Sequence, residues 1–189
     1  TLRLYRKHKR EEFLGSDYFA SMSQFYLAKI YDQHFRTRKF RADKKLMKVD
    51  LQYKAERLLL AQAHYLRTVR IRHPQWVVAS LFKIGEMYKQ MYDDMLHAPI
   101  PKSLTVEEKK MYERMLKKKI RGLLNKAIYA FQKNLQAAEA YGLQDDRFIQ
   151  KTRQQLVALK SQIVKDYLKG PSIQDEKEIR KMLKGKSRP

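Results

Sequence analysis

The sequence predicts an all-α protein. Only 6 glycines and 5 prolines occur among its 189 residues, so few positions favour tight turns. The long stretches between them are rich in Lys, Leu, Ala, Gln and Glu, which have good helix propensity. Apolar residues recur three or four positions apart in these stretches, the spacing that places them on one face of a helix. Hydrophobic residues make up 43% of the chain, enough for a folded domain with a core.

The N-terminal part predicts two helices joined by a basic connection. Residues 1–16 are a basic segment with a weak helical pattern. A first helix is expected over about 17–35, with Asp17 as its N-cap. The connection over 36–45 contains six Lys and Arg. A second helix follows over about 46–72, because leucines and alanines continue there at helical spacing.

Proline marks the next two boundaries. Pro74 ends the second helix, since the residue before a proline avoids the helical region, and a third helix opens near Gln75. The segment 97–104 contains two further prolines and predicts a loop. Thr105, with Glu108 three residues later, has the form of a capping box and predicts the start of a fourth helix.

The fourth helix is expected to end at Tyr141, with Gly142 as the C-terminal stop. Gly122 lies in its middle, where it would kink the helix or admit a close neighbour. Asp145 and Asp146 begin a fifth helix, which is expected to extend to residue 168. Gly170 and Pro171 then stop it. We therefore expect a helical domain over 17–168 and a basic tail over 169–189.

The chain has a formal net charge of +22, which favours anionic partners such as nucleic acid, anionic lipid or an acidic protein surface. The absence of cysteine excludes disulfides and thiolate metal sites. No run of about 18 apolar residues is present, so no membrane-spanning segment is expected. Two clusters of the helical region define the predicted basic patch: Arg36, Arg38, Lys39, Arg41, Lys44 and Lys45, and Lys117, Lys118, Lys119 and Arg121.

No residue pattern indicates catalysis or metal binding. The five histidines are scattered and have no adjacent carboxylate cluster, so surface or partly buried roles are favoured. The segment Gly185 to Ser187 lacks the earlier glycine of a phosphate-binding loop. Asp93 and Asp94 are neighbours on a predicted helix, so their side chains do not face each other. We therefore expect a protein that is not an enzyme and that carries no cofactor.

Two segments repeat a common pattern. Leu27, Ala28 and Tyr31 have the same spacing as Ile84, Gly85 and Tyr88. Each triplet places a large side chain, a small residue and an aromatic at equal helical offsets. The helices that follow contain a small residue with an aromatic four positions later, as Ala61 with Tyr65 and Ala127 with Phe131.

These spacings resemble the tetratricopeptide-repeat family, in which a small residue of the first helix lets the second helix pack closely. The resemblance covers residues 17–168. It implies a solenoid of helical hairpins with elongated helices and a C-terminal capping helix. The chain departs from the family because its repeat is longer than the usual roughly 34 residues. The connections 36–45 and 97–104 are insertions relative to it.

A narrower resemblance covers residues 76–159. In this segment Trp76 is followed by Ile84 with Gly85, by a loop from Pro99 to Pro101, and by Tyr112. This order is similar to that in the C-terminal repeats of envelope-associated tetratricopeptide proteins of gliding and predatory bacteria. This resemblance implies a periplasmic or envelope location. A cytoplasmic location is the alternative.

The family resemblance also implies a concave partner-binding groove lined by particular positions of the first helix in each pair. Transferred by register, these positions are Met22, Phe25, Lys29, Asp32, Gln33, Ala79, Phe82, Glu86, Lys89 and Gln90. Such a mixture of aromatic, cationic and amide groups suits an extended peptide or a partner helix. An alternative is that a further repeat or the capping helix fills the groove.

The sequence thus leaves two functional hypotheses. The first is a scaffold or adaptor that binds a peptide or helix of a partner protein through the groove. The second is a basic helical protein that binds nucleic acid or another anionic surface through Lys and Arg, although it contains no recognised reader motif.

Overall fold

The computed structural model of the protein describes residues 2–8, 17–100, 105–144 and 146–168, and the side chains of residues 6–8 and 166–168 are not included. The described residues contain six α-helices and no strand, which confirms the all-α class. The helices are α1 (Leu2–His8), α2 (Tyr18–Thr37), α3 (Lys44–Ile71), α4 (Pro74–Leu96), α5 (Val106–Ala140) and α6 (Arg147–Leu168). The predicted tail over 169–189, its stop at Gly170 and Pro171, and Asp145 lie outside the described residues.

The helices pack as adjacent antiparallel pairs. Helix α2 packs along α3, and α4 packs along α5. The two pairs meet because α4 also contacts both α2 and α3. Helix α6 lies against α5 and α4, and the short α1 contacts α2. Helix α4 is therefore the central helix of the domain.

Helix ends follow the local signals of the sequence. Thr105 accepts a hydrogen bond from the backbone N–H of Glu108 at 3.2 Å, and the Glu108 side chain accepts one from the backbone N–H of Thr105 at 2.9 Å. This pair forms the predicted capping box of α5. Gly142 has φ of 66° at the other end, and the backbone N–H of Leu143 donates to the carbonyl oxygen of Ala138 at 2.9 Å. These contacts close α5 in a left-handed C-terminal cap.

Helices α3 and α4 are separated by only two residues. Arg72 has φ of 71°, a left-handed conformation that stops α3. His73 is extended, as expected of a residue before a proline, and Pro74 is the first residue of α4. The short connection turns the chain back along α3.

The prediction for Asp17 holds in position but not in its side-chain contact, and one of the two alternatives for Gly122 is corrected. Asp17 stands at the N-cap of α2, but its side chain makes no capping hydrogen bond and accepts one from the Tyr5 hydroxyl at 2.5 Å instead. Gly122 does not admit a close neighbour, because nothing lies within 4 Å of the position that a Cβ would occupy. Helix α5 runs through Gly122 without interruption.

One large cluster of buried side chains joins the helices from α2 to α6. Its aromatic members come from four of these helices: Phe25, Phe35, Tyr65, Phe82, Tyr88, Tyr92 and Phe131. A smaller cluster of Val78, Ala138 and Ile149 connects α4, α5 and α6. Burial of these side chains is the main force that holds the pairs together.

Candidate functional site

The inner surface, which we define as the side where α2 and α4 lie next to each other, carries most of the predicted groove residues. Six of them are accessible in part or in full: Met22, Lys29, Gln33, Glu86, Lys89 and Gln90. Arg36 on α2 links the two helices there, because its Nη2 lies 3.9 Å from Oε2 of Glu86 on α4. Lys29 and Gln33 lie seven and three residues before Arg36, on the same side of α2. Lys89 and Gln90 lie three and four residues after Glu86, on the same side of α4.

The other four predicted groove residues, Phe25, Asp32, Ala79 and Phe82, are buried, so they do not line an open surface. The Phe25 ring lies 5.2 Å from that of Tyr65 and 5.0 Å from that of Trp76. The Phe82 ring packs between Phe131 of α5 and Phe148 of α6. The groove prediction is wrong for these four positions, because neighbouring helices cover them.

Asp32 anchors a polar network beneath the inner surface. Its carboxylate accepts a hydrogen bond from Nε of Arg36 at 2.7 Å and one from the Tyr65 hydroxyl at 3.3 Å. Burial, followed by the charge of Asp32, raises the pKa of Tyr65 well above its ordinary value. Tyr65 thus stays protonated and ties α3 to α2. Arg36 carries the network outward to Glu86.

The small residues of the two repeated triplets are both buried. Ala28 is fully buried in α2. A Cβ added to Gly85 of α4 would lie 2.5 Å from the Phe131 ring of α5. A side chain at this position would fit only if the Phe131 ring moved, so α4 and α5 pack at the distance that glycine permits.

The remaining repeat positions divide between core and surface. Fully or nearly fully buried are Ala61, Tyr65, Ile84, Tyr88, Ala127 and Phe131. Tyr31 is half-buried and stacks on His64 with ring centroids 5.1 Å apart. Leu27 is 38% exposed, so the large residue of the first triplet is not buried as Ile84 of the second triplet is.

The first predicted basic cluster is partly neutralised inside the chain. Arg38 Nε lies 2.7 Å from Oδ1 of Asp50, and Arg41 Nη2 lies 2.7 Å from the same oxygen. Asp50 is fully buried, and the side-chain hydrogen bonds from Arg41 hold its pKa well below the usual range. Since Arg36 is bonded to Asp32, three arginines of this cluster serve internal pairs. Lys39, Lys44 and Lys45 are exposed.

The second predicted basic cluster lies in the N-terminal half of α5. Lys118, Lys119 and Arg121 are exposed. Lys117 is half-buried, and its Nζ lies 3.2 Å from Oε1 of Glu113. Since the cluster spans more than one helical turn, its side chains point in several directions rather than to one surface.

A buried lysine joins three helices, and the sequence reasoning did not identify it. Lys54 Nζ donates to the backbone carbonyl oxygens of Phe35 at 2.7 Å and Arg38 at 2.8 Å, at the C-terminus of α2. It also lies 2.8 Å from Oδ2 of Asp94 on α4. The last carbonyls of a helix lack intrahelical partners, and a cation there is favourable. The available signal was the position of Lys54 four residues before the buried Leu58, on the apolar face of α3.

Two further polar groups connect helices. Asn134 of α5 donates to the carbonyl oxygen of Val78 at 2.5 Å and accepts from Thr152 of α6 at 3.1 Å. His64 of α3 has Nδ1 2.7 Å from the side-chain nitrogen of Gln24 on α2. Burial, followed by the charge of Arg67, lowers the pKa of His64.

The described side chains include no group of three or more His, Asp or Glu that could hold a metal ion. Asp93 and Asp94 do not form an acid pair, since Asp93 is paired with Lys89 at 2.7 Å and Asp94 with Lys54. None of the described helices combines the length and apolar character that crossing a membrane requires.

Charge is unevenly divided among the helices. Helix α3 carries seven Lys and Arg against two Asp and Glu, and α5 carries nine against four. Helix α2 carries two against one, and α4 two against three. Together α2 and α4 carry four Lys and Arg against four Asp and Glu, so the helices of the inner surface are close to neutral, whereas α3, α5 and α6 each carry a positive excess.

Comparisons with protein-family models, with curated proteins and with solved structures find no match to this chain.

Proposed function

We propose that this chain is a non-catalytic scaffold whose helix pairs stack as a short solenoid and bind a peptide or helix of a partner protein. The order in which the helices contact each other supports the stacking. Helix α2 contacts α4, so the first helices of the two pairs adjoin, and α4 also contacts α6, which follows as a single capping helix. Helix pairs that stack in this way share one core, because a single pair cannot bury both of its apolar faces.

The observation that carries the proposal is the accessible inner surface over the contact between α2 and α4. Among the predicted groove positions it presents the apolar Met22 beside amide and charged groups such as Gln33 and Gln90. The half-exposed Tyr26 of α2 also lies at this contact, with its ring 6.2 Å from that of Trp76 of α4. Glu86, Lys83 and Arg36 are paired there, so the surface has little net charge to attract a polyanion. A polar peptide with a few apolar side chains suits such a surface. By the resemblance of residues 76–159, the partner would belong to a bacterial envelope assembly.

Site-specific photo-crosslinking tests this assignment. A photoreactive phenylalanine analogue replaces Gln33 or Gln90 on the inner surface, and Gln132 of α5 or Gln154 of α6 at exposed sites outside it. Cells of the source organism are irradiated, and crosslinked proteins are identified by mass spectrometry. We expect one partner, joined through the same segment, from both inner positions.

The two outer positions are matched controls because the same residue type is replaced at accessible sites. Equal crosslinking of the same partner from Gln132 and Gln154 would contradict binding at the inner surface. Binding there would also be excluded if Gln33 and Gln90 gave no crosslinked protein while the variants remained folded.

A further inference from the structure

A second surface lies between α3 and α5, on the side of α4 away from α6. Both helices run antiparallel to α4 and therefore run in the same direction. Over their described lengths they pack on α4, with little or no backbone contact with each other. Tyr88 of α4 lies between them, because its hydroxyl donates to Oε1 of Gln62 on α3 at 2.6 Å, and Nζ of Lys126 on α5 lies 5.3 Å from its ring centroid. We call this surface the α3/α5 groove.

The α5 wall of the groove is a row of lysines. Lys126 faces Tyr88, which fixes the side of α5 that borders the groove. Lys119 and Lys133 are seven residues before and after it, nearly two helical turns, so they share that side. All three are exposed. Between Lys119 and Lys133 the helix contains no Asp or Glu, so the row has no carboxylate within its own segment.

The α3 wall is a row of leucines. Gln62 marks the side of α3 that borders the groove, and Leu59 and Leu66 lie three residues before and four after it, on the same side of the helix. Leu59 is 57% exposed and Leu66 is 38% exposed. Glu56 is the one carboxylate in residues 55–69 of α3. One wall is thus apolar and the other cationic.

We propose that the α3/α5 groove binds an acidic amphipathic helix of a partner protein. Such a helix places apolar side chains on Leu59 and Leu66. Carboxylates seven residues apart on its adjacent side then meet Lys119, Lys126 and Lys133. An apolar stripe beside a charged stripe is the pattern of helix-in-groove recognition. A nucleic acid would use the lysines but would leave the leucines in water, so it matches only half of the surface.

This inference goes beyond the inner-surface function, since it concerns the other side of α4 and different residues. The partner proposed for the α3/α5 groove differs in charge from the partner proposed for the inner surface. The inner surface of α2 and α4 is close to neutral, whereas α3 and α5 together carry the largest positive excess among the described helices.

A designed peptide tests the groove directly. The probe is a fluorescein-labelled helix of about 21 residues, three heptads, with leucines along one stripe and a Glu in each heptad on the adjacent stripe. A second peptide replaces each of these Glu residues with Lys. Fluorescence anisotropy measures the affinity of each peptide for the whole protein. We expect the acidic peptide to bind and the Lys peptide to bind at least about tenfold more weakly.

Matched variants of the protein locate the contact. Lys119, Lys126 and Lys133 are changed together to Gln, and the control changes the exposed Lys45, Lys110 and Lys160 to Gln. The groove variant should bind the acidic peptide about tenfold more weakly, since it loses three exposed ion pairs. The control should lose less than about threefold, through net charge alone.

The leucine wall has its own pair of variants. Leu59→Gln should weaken binding about tenfold, because a leucine loses its apolar contact. Leu60→Gln changes a neighbouring leucine that is 40% exposed and points away from the groove, and it should leave the affinity within about twofold. Thermal unfolding of each variant verifies that the fold is retained.

Several results would overturn the proposal. Equal weakening by the two lysine triples would mean that the peptide responds only to net charge. An unchanged affinity in Leu59→Gln would exclude the apolar contact. If duplex DNA bound more tightly than the acidic peptide and depended on the lysines but not on Leu59, the surface would be a nucleic-acid site. Substitution of Gln33 by Arg on the inner surface should leave peptide binding unchanged, so this test and that of the inner surface can fail separately.

Discussion

Replacing Gly85 by alanine tests the packing of α4 against α5. The added Cβ would lie 2.5 Å from Cε1, 2.6 Å from Cδ1 and 2.8 Å from Cζ of Phe131. Carbon atoms that are not bonded attract best at about 3.5–4.0 Å, so the ring must move by roughly 1 Å. Phe131 is fully buried and packs on Phe82, with ring centroids 5.8 Å apart, so it has no open space to enter. We expect Gly85→Ala to destabilise the protein.

The size of the effect follows from two opposing contributions. Forcing an extra methyl group into a packed core costs about 1–3 kcal/mol. Alanine is favoured over glycine inside a helix by about 1 kcal/mol. The net expectation for Gly85→Ala is a loss of about 1 kcal/mol in the free energy of unfolding. Gly122→Ala is the matched control, because Gly122 is also helical but has nothing within 4 Å of its Cβ position. That variant should gain up to about 1 kcal/mol.

Urea denaturation followed by circular dichroism measures both variants. The two should differ by about 2 kcal/mol, or about 4–8 °C in Tm for a domain of this size. Adding Phe131→Leu to Gly85→Ala should cost less than the sum of the single changes, because the smaller side chain makes room for the methyl group. If Gly85→Ala stabilised the protein as much as Gly122→Ala does, the ring could not be packed against Gly85. The close pairing of α4 with α5 would then be refuted.

Two further predictions concern buried polar groups. Lys54→Met should lower the free energy of unfolding by about 2–4 kcal/mol in urea denaturation, because two carbonyls at the C-terminus of α2 lose their donor and Asp94 loses its cation. The control Lys48→Met changes an exposed lysine of the same helix and should alter the free energy of unfolding by less than about 0.5 kcal/mol. A similar loss in both variants would contradict the burial of Lys54. The pKa of His64 is lowered in the folded protein, so the unfolded chain binds the proton more readily. The free energy of unfolding should therefore be constant above the ordinary histidine pKa of about 6.5 and should decrease as the pH falls below it. As the pH falls, Tm should decrease less in His64→Gln than in the unchanged protein or in the control His34→Gln, which changes an exposed histidine. An identical decrease in all three proteins would mean that His64 does not contribute to the pH dependence of stability.

Local features predicted the helices well because the signals for a helix lie within it. The capping box at Thr105, the stop at Gly142 and the boundary at Pro74 each depend on residues a few positions apart. Ala28 and Gly85 were identified by their spacing to a following aromatic, and both are buried. Such features need no knowledge of the rest of the chain.

The predicted groove was less successful, because whether a side chain is accessible depends on helices that are distant in sequence. Phe25 and Phe82 have the spacing of surface-lining positions, yet Trp76 covers the first and Phe148 of α6 covers the second. Asp32 is charged, but a tyrosine and an arginine satisfy it inside the domain. Periodicity identifies a face of a helix and does not say which neighbour packs on it.

The sequence by itself determined the helical class, the helix boundaries at Pro74, Thr105 and Gly142, the net charge of +22 and the small residues that allow close packing. Tertiary structure alone decided that Lys54 is buried between α2 and α4, and that Leu59 and Lys126 stand on opposite walls of one groove. The reason is that helix formation depends on residues within a few turns. Burial and pairing of charges depend on contacts between residues tens of positions apart, and only the packed helices bring those residues together.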